Sequence, residues 1–97
     1  MALDDPPCPP ALVAVDGPLW VIDKPAGYVV HPVGNPDHPD ILAWAVAEYG
    51  APACLAPIHR LDRLTSGVVL CSPDAALRGE LGAAFAERRI AKIYLAL

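Results

Sequence analysis

The chain reads as a mixed α/β (α+β) fold, a largely antiparallel sheet with two helices. Three observations predict it. Short apolar runs at residues 12–15 and 19–22 flank the turn pair Asp16-Gly17, the pattern of a hairpin. An apolar stretch over residues 40–49 runs into Gly50, a helix with its stop. Further on, Leu77, Leu81, Ala84 and Phe85 recur at helical spacing and give one apolar face. Ninety-seven residues make one small domain with a modest core. Hydrophobic residues are 55% and charged residues 19%, the balance of a folded chain rather than a disordered one.

The elements follow in order. Residues 1–11 hold Pro6, Pro7, Pro9 and Pro10 and read as an extended leader, with a Pro-rich docking peptide as the alternative. After the hairpin, Asp23-Lys24-Pro25-Ala26-Gly27 forms a tight reversal. Lys24 either contacts a phosphate or caps that turn. Residues 28–31 read as a third strand. Residues 32–39 carry three prolines and are a loop. His31, His38 and His59 match no standard metal spacing, so no metal is expected. Asp40 suits an N-cap, and the apolar residues of the helix after it cover most of its surface, which predicts a well-buried helix. Within it Trp44 is either core or a base-stacking face.

Residues 68–71 are a strand, and Ser72-Pro73 then open the second helix in cap-and-first-turn order. Gly79 and Gly82 each weaken that helix by up to ~1 kcal/mol relative to Ala. Arg88 and Arg89 either complement the dipole at its end or contact a phosphate backbone. Residues 90–97 close as a strand with Lys92 and Tyr94 on one face. There are no internal repeats.

The chemistry concentrates in Ile58-His59-Arg60-Leu61-Asp62-Arg63-Leu64-Thr65-Ser66-Gly67. A carboxylate just before a core strand is held by a rigid neighbour, as a catalytic group must be. His59, Arg60 and Arg63 surround Asp62 in sequence, and cations beside a carboxylate favour its ionised form. Thr65-Ser66-Gly67 has the composition of a turn. The plainer reading stays open beside it: a solvated turn with a surface Arg–Asp salt bridge, worth little.

His59-Arg60-Leu61-Asp62-Arg63-Leu64-Thr65-Ser66-Gly67 resembles the His-Arg-Leu-Asp-x-x-Thr-Ser-Gly signature of the RluA-type pseudouridine synthases. Upstream, the segment from Trp20 through Lys24-Pro25-Ala26-Gly27 to His31-Pro32 is similar to the family's strand, Lys-Pro-x-Gly turn and following strand. Downstream, Ala91-Lys92-Ile93-Tyr94-Leu95-Ala96 is similar to its Lys-x-Tyr-x-Ala strand. The similarity runs from about Leu12 to Leu97, and three matches in order are far more specific than one.

The resemblance implies an RNA-modifying isomerase that detaches uracil from ribose, rotates it and rejoins it through carbon, acting on ribosomal or transfer RNA without metal, redox step or cofactor. It makes Asp62 the catalytic aspartate, whether by attack on sugar, attack on base or proton abstraction. It gives Arg60 a part in holding the RNA once the base is out, and Tyr94 the face that packs on that base. Lys92 meets phosphate or braces the site. His59, Leu61, Thr65, Ser66 and Gly67 shape the loop. The family's later Gly-Arg-x-His-Gln-Leu-Arg motif would fall beyond Leu97, so residues 12–97 are expected to be the amino-terminal portion of a catalytic domain, inactive alone.

Charge argues partly against this. A formal net charge of −4 is not that of an RNA-binding surface. Yet Asp4, Asp5, Asp37 and Asp40 lie away from the central motif, while Arg60, Arg63, Arg88, Arg89 and Lys92 lie near it. Two other readings remain: a non-catalytic RNA-binding remnant using Arg60, Lys92 and Tyr94, and an unrelated α/β domain. Cys8, Cys54 and Cys71 form no Cys-x-x-Cys pair, which suits a reducing compartment. The acidic start is no signal peptide, and no apolar run approaches the ~18 residues of a membrane helix. A cytoplasmic protein, monomeric and with no membrane partner, is the expectation.

Overall fold

The computed structural model describes residues 8–35 and 37–87. Two strands, β1 (Ala11–Asp16) and β2 (Leu19–Lys24), form the expected hairpin. Its register shifts between Leu12 and Ala14, so Val13 is bulged and 58% exposed. Strand β2 pairs antiparallel with β4 (Gly67–Ser72), which pairs antiparallel with the short β3 (Ala56–Pro57). The sheet order is β1-β2-β4-β3. Two helices, α1 (Ile41–Tyr49) and α2 (Ala75–Ala86), complete a mixed α/β fold with an antiparallel sheet.

Period-two alternation builds the core. In β2, Ile22 and Lys24 are buried while Asp23 is exposed; in β4, Val69 and Cys71 are buried while Val68 is 50% exposed. Ile22 lies opposite Val69 and Trp20 opposite Cys71. Val30, Ile41, Ala45, Ala51 and Leu55 pack onto these residues.

Three expectations are corrected. Residues 28–31 are no strand: Val29 makes only an isolated parallel bridge with Asp40. Its N–H donates to Pro39 O at 2.9 Å, and its carbonyl accepts from Ile41 N at 3.0 Å. That second bond satisfies one of the amides a helix start leaves open, and the prolines around it cannot extend a ladder. Second, α1 is not well buried. Only Ile41 and Ala45, one turn apart, are buried; Leu42 packs partly buried against the core, while Val46 is 43% and Tyr49 52% exposed. The core takes one side of the helix, and the apolar Val46 and Tyr49 are left towards solvent. Trp44 is partly buried against the core and meets Tyr49 edge-on, centroids 5.4 Å apart.

Third, α2 is capped by Asp74, not Ser72. The Asp74 carboxylate accepts from Ala76 N and Leu77 N. Ser72 ends β4 fully buried, its hydroxyl accepting from Asp74 N at 3.0 Å. A carboxylate near the positive helix end outcompetes a hydroxyl already committed to the turn. The apolar, Pro-rich stretch before the central motif contains β3. Proline is tolerated there because β3 is an edge strand. Asp40 caps α1 as expected, accepting from Ala43 N at 2.7 Å, and Gly50 closes it in the left-handed conformation.

Candidate active site

The loop between β3 and β4 is the central motif, and four sets of contacts hold it. At its start, Ile58 N donates to Leu70 O at 2.8 Å, and His59 Nε2 accepts from Leu70 N at 3.1 Å. An imidazole thus continues the pairing that β3 stops making, and the acceptor role fixes Nε2 without its proton. The His59 ring packs on Phe85 of α2, centroids 4.7 Å apart. In the middle, Thr65 N donates to Asp62 O at 3.0 Å and closes a turn. The turn bond is therefore a main-chain bond, where the sequence suggested hydroxyls. At its end, Gly67 has φ +152°, and a Cβ there would sit 3.2 Å from Leu61 Cδ1. The φ favours glycine, and a Cβ would need Leu61 to give by a few tenths of an ångström.

The fourth contact comes from β2. Lys24 is fully buried, on the inward face two residues after Ile22. Its ammonium donates to Tyr28 O at 2.8 Å, Arg63 O at 3.1 Å and Pro25 O at 3.2 Å. Gly27 N donates to the same Arg63 carbonyl at 2.8 Å. The Lys-Pro-x-Gly turn is thereby stitched to the residue after Asp62. Of the two roles the sequence left open for Lys24, the structure selects the turn and adds a cross-link to the central loop. Burial pushes the Lys24 ammonium below its ordinary value, the Asp62 carboxylate opposes that, and Arg63 adds to it.

Asp62 itself is exposed at the wall of an open groove of about 330 Å³. Arg60, Leu61 and Arg63 complete that wall. The same groove is lined by the segment after the Lys-Pro-x-Gly turn, with Val29, Val30 and Val33 as its apolar part and His31 and His38 as its polar part. Among the described residues, neither the Asp62 carboxylate nor the Arg60 guanidinium has a hydrogen-bond or salt-bridge partner, so the Arg60–Asp62 surface pair is not formed. A carboxylate and a guanidinium, unspent on each other and facing one groove, are free to engage a ligand.

Of the residues singled out in sequence, Arg60, Leu61 and Asp62 come together at the groove; Thr65 braces the turn, Ser66 is exposed beside it, and His59 and Gly67 hold the loop from either end. Lys92, Tyr94, Arg88 and Arg89 lie outside the described residues, as does the strand expected over 90–97. This second lining segment was not foreseeable from sequence, where His31 and His38 suggest at most a metal. Their shared position is a tertiary fact. Among the described residues no three His, Cys, Asp or Glu side chains converge as metal ligands, and no helix is long and apolar enough to cross a membrane.

Known proteins share this arrangement of sequence and fold. Residues 18–97 match the family model described as RNA pseudouridylate synthase. The chain is 36% identical over 95 residues to the dual-specificity RNA pseudouridine synthase RluA of Haemophilus ducreyi, covering 95% of this chain and 41% of that protein. It is 34% identical over 85 residues to the tRNA pseudouridine(31) synthase of Saccharomyces cerevisiae, covering 88% of this chain and 20% of that one. Among solved structures, human RNA pseudouridylate synthase domain containing 4 superposes with a TM-score of 0.61 at 28% identity, over 80% of this chain and 30% of that one. The chain spans less than half the length of each of these relatives. The matched span holds the Lys24 turn, the Asp62 loop and β4 that anchors it, and the chain belongs to the RluA-type RNA pseudouridylate synthase family.

Proposed function

We propose that the protein converts specific uridines in ribosomal or transfer RNA to pseudouridine, with Asp62 as the catalytic carboxylate. The observation that carries this reading is the placement of Asp62: unpaired among the described residues, at the mouth of a groove, on a loop whose next carbonyl is held by two donors from the Lys24 turn. Catalysis needs such pre-positioning, since a reacting group misplaced by ~1 Å can cost ~100-fold in rate.

The target base must leave its stack, at a cost of a few kcal/mol that protein contacts offset. Arg60, exposed beside Asp62, is the side chain given the vacated space or the rearranged backbone. Tyr94 is assigned the face that packs on the flipped base, a contact worth roughly 1–3 kcal/mol, and Lys92 a phosphate or bracing role. Both assignments rest on the Lys-x-Tyr-x-Ala pattern. The same reading places the protein in the cytoplasm, where Cys8, Cys54 and Cys71 stay as the free thiols observed.

The test is Asp62→Asn in the full-length protein, with pseudouridine formation in RNA as readout. Turnover is expected to vanish while RNA affinity persists. Retained turnover refutes the assignment of Asp62. RNA binding without isomerisation by the unaltered protein would instead favour a non-catalytic RNA-binding remnant.

A further inference from the structure

We propose that the loop spanning residues 31–39 is a second RNA-binding wall, in which His31 and His38 contact backbone phosphates of the strand that Asp62 faces. The inference rests on the RNA-modifying reading above and adds to it the residues that line the groove with the catalytic loop.

Three observations carry it. Both imidazoles line the same groove as Arg60, Asp62 and Arg63, and among the described residues these five are its titratable or charged groups. The loop is built rather than slack. Its neck is closed by the Val29 N–Pro39 O and Ile41 N–Val29 O bonds at 2.9 and 3.0 Å. Its tip is closed by Asn35, whose side-chain oxygen accepts from Asp37 N at 2.9 Å and whose carbonyl accepts from His38 N at 3.0 Å. Bonds that brace the backbone of its described residues, 31–35 and 37–39, lower the entropic cost of ordering it on binding. Finally, cations are scarce: the whole chain has seven Lys and Arg for a net charge of −4. Among the described residues, a strand of phosphates entering this groove meets two cationic side chains, Arg60 and Arg63. The imidazoles add charge on demand, because a phosphate within a few ångströms favours the protonated ring. Binding then takes up protons, and affinity rises as pH falls through the histidine range.

The experiment uses the full-length Asp62→Asn protein, so that no turnover intrudes and Asp62 does not titrate. The probe is a single-stranded, uridine-containing RNA oligonucleotide, bound at about pH 6 and about pH 8 over a salt series. The parent is expected to bind more tightly at the lower pH. His31→Gln/His38→Gln should lose that gain and, at the lower pH, flatten the slope of log K against log salt by up to about 1.4, at about 0.7 per phosphate contact. At the higher pH the two proteins should converge. His31→Gln alone, at an exposed position, should flatten the slope by up to about 0.7 and serves if the double variant does not fold. An unchanged slope and pH dependence in a folded variant overturns the proposal. Since this readout is binding alone, its failure is separable from that of the catalytic assignment, which turnover tests.

Discussion

Lys24→Met is the most informative single change, because it keeps the buried stem and deletes only the ammonium. Three carbonyls lose a donor, but not equally. Arg63 O keeps Gly27 N at 2.8 Å, and Pro25 O keeps a long bond from Tyr28 N at 3.5 Å. Tyr28 O is left with no donor among the described residues. One orphaned buried carbonyl costs about 1–3 kcal/mol. Relief from burying a charge offsets some of the two further bonds lost, so the net expectation is destabilisation by about 1–3 kcal/mol. In urea unfolding this lowers the midpoint with no change of slope. The catalytic consequence is separate. With its anchor to Arg63 gone, the Asp62 loop loosens, and turnover is expected to fall by up to ~100-fold.

The pH dependence has a definite sign. The folded state holds the Lys24 ammonium below the 10.5 of an exposed lysine, so the unfolded chain binds more protons in the window between the two values. Stability from this group therefore rises with pH across that window, and below it the full cost of the buried charge is present. The Met variant lacks the rise, so the stability gap between the two proteins widens on approaching pH 10.5. If Lys24→Met unfolds at the unaltered midpoint and loses only RNA affinity, Lys24 is a phosphate ligand and the cross-link reasoning is wrong.

Three further outcomes are expected. Gly67→Ala places a methyl 3.2 Å from Leu61 Cδ1 at a φ of +152°, and should destabilise by about 1–3 kcal/mol with loss of turnover; equal stability would show that the loop tolerates the shift. Burial pushes the Cys71 thiol from 9.0 up to about 12, so its contribution is complete below pH 9.0 and lost as pH rises towards 12, at most about 4 kcal/mol; Cys71→Ala should show a shallower alkaline decline in denaturation midpoint. Gly79→Ala, on α2 with open space within 4 Å of where the new methyl would sit, should stabilise by about 0.5–1 kcal/mol in thermal unfolding, and no gain would mean that α2 is not helical at that point.

Much of the fold was legible because its signals are local. The Asp16-Gly17 turn between two apolar runs, the Asp40 cap with Gly50 at the far end, and the periodic Leu77, Leu81, Ala84 and Phe85 each speak for a segment without reference to any other. Where local signals competed, reading failed. Residues 28–31 have strand composition, yet the neighbour they meet is the proline-bounded entry to α1, so only one bridge forms. Ser72 and Asp74 are both good caps, and the buried end of β4 claimed the serine. The apolar surface of α1 says nothing about how wide a layer will cover it.

What the sequence determined by itself was the central motif, its carboxylate and the alternating strand that follows, since side-chain identity and spacing along one chain suffice for those. Tertiary structure alone decided that Lys24 ties the Asp62 loop to the neighbouring turn, that His59 stands in for a missing strand, and that His31 and His38 line the same groove as Asp62. The physical reason is separation along the chain. Lys24 reaches a carbonyl 39 residues away, and no periodicity or propensity encodes which buried donor meets which distant acceptor until the sheet brings them within 3.1 Å.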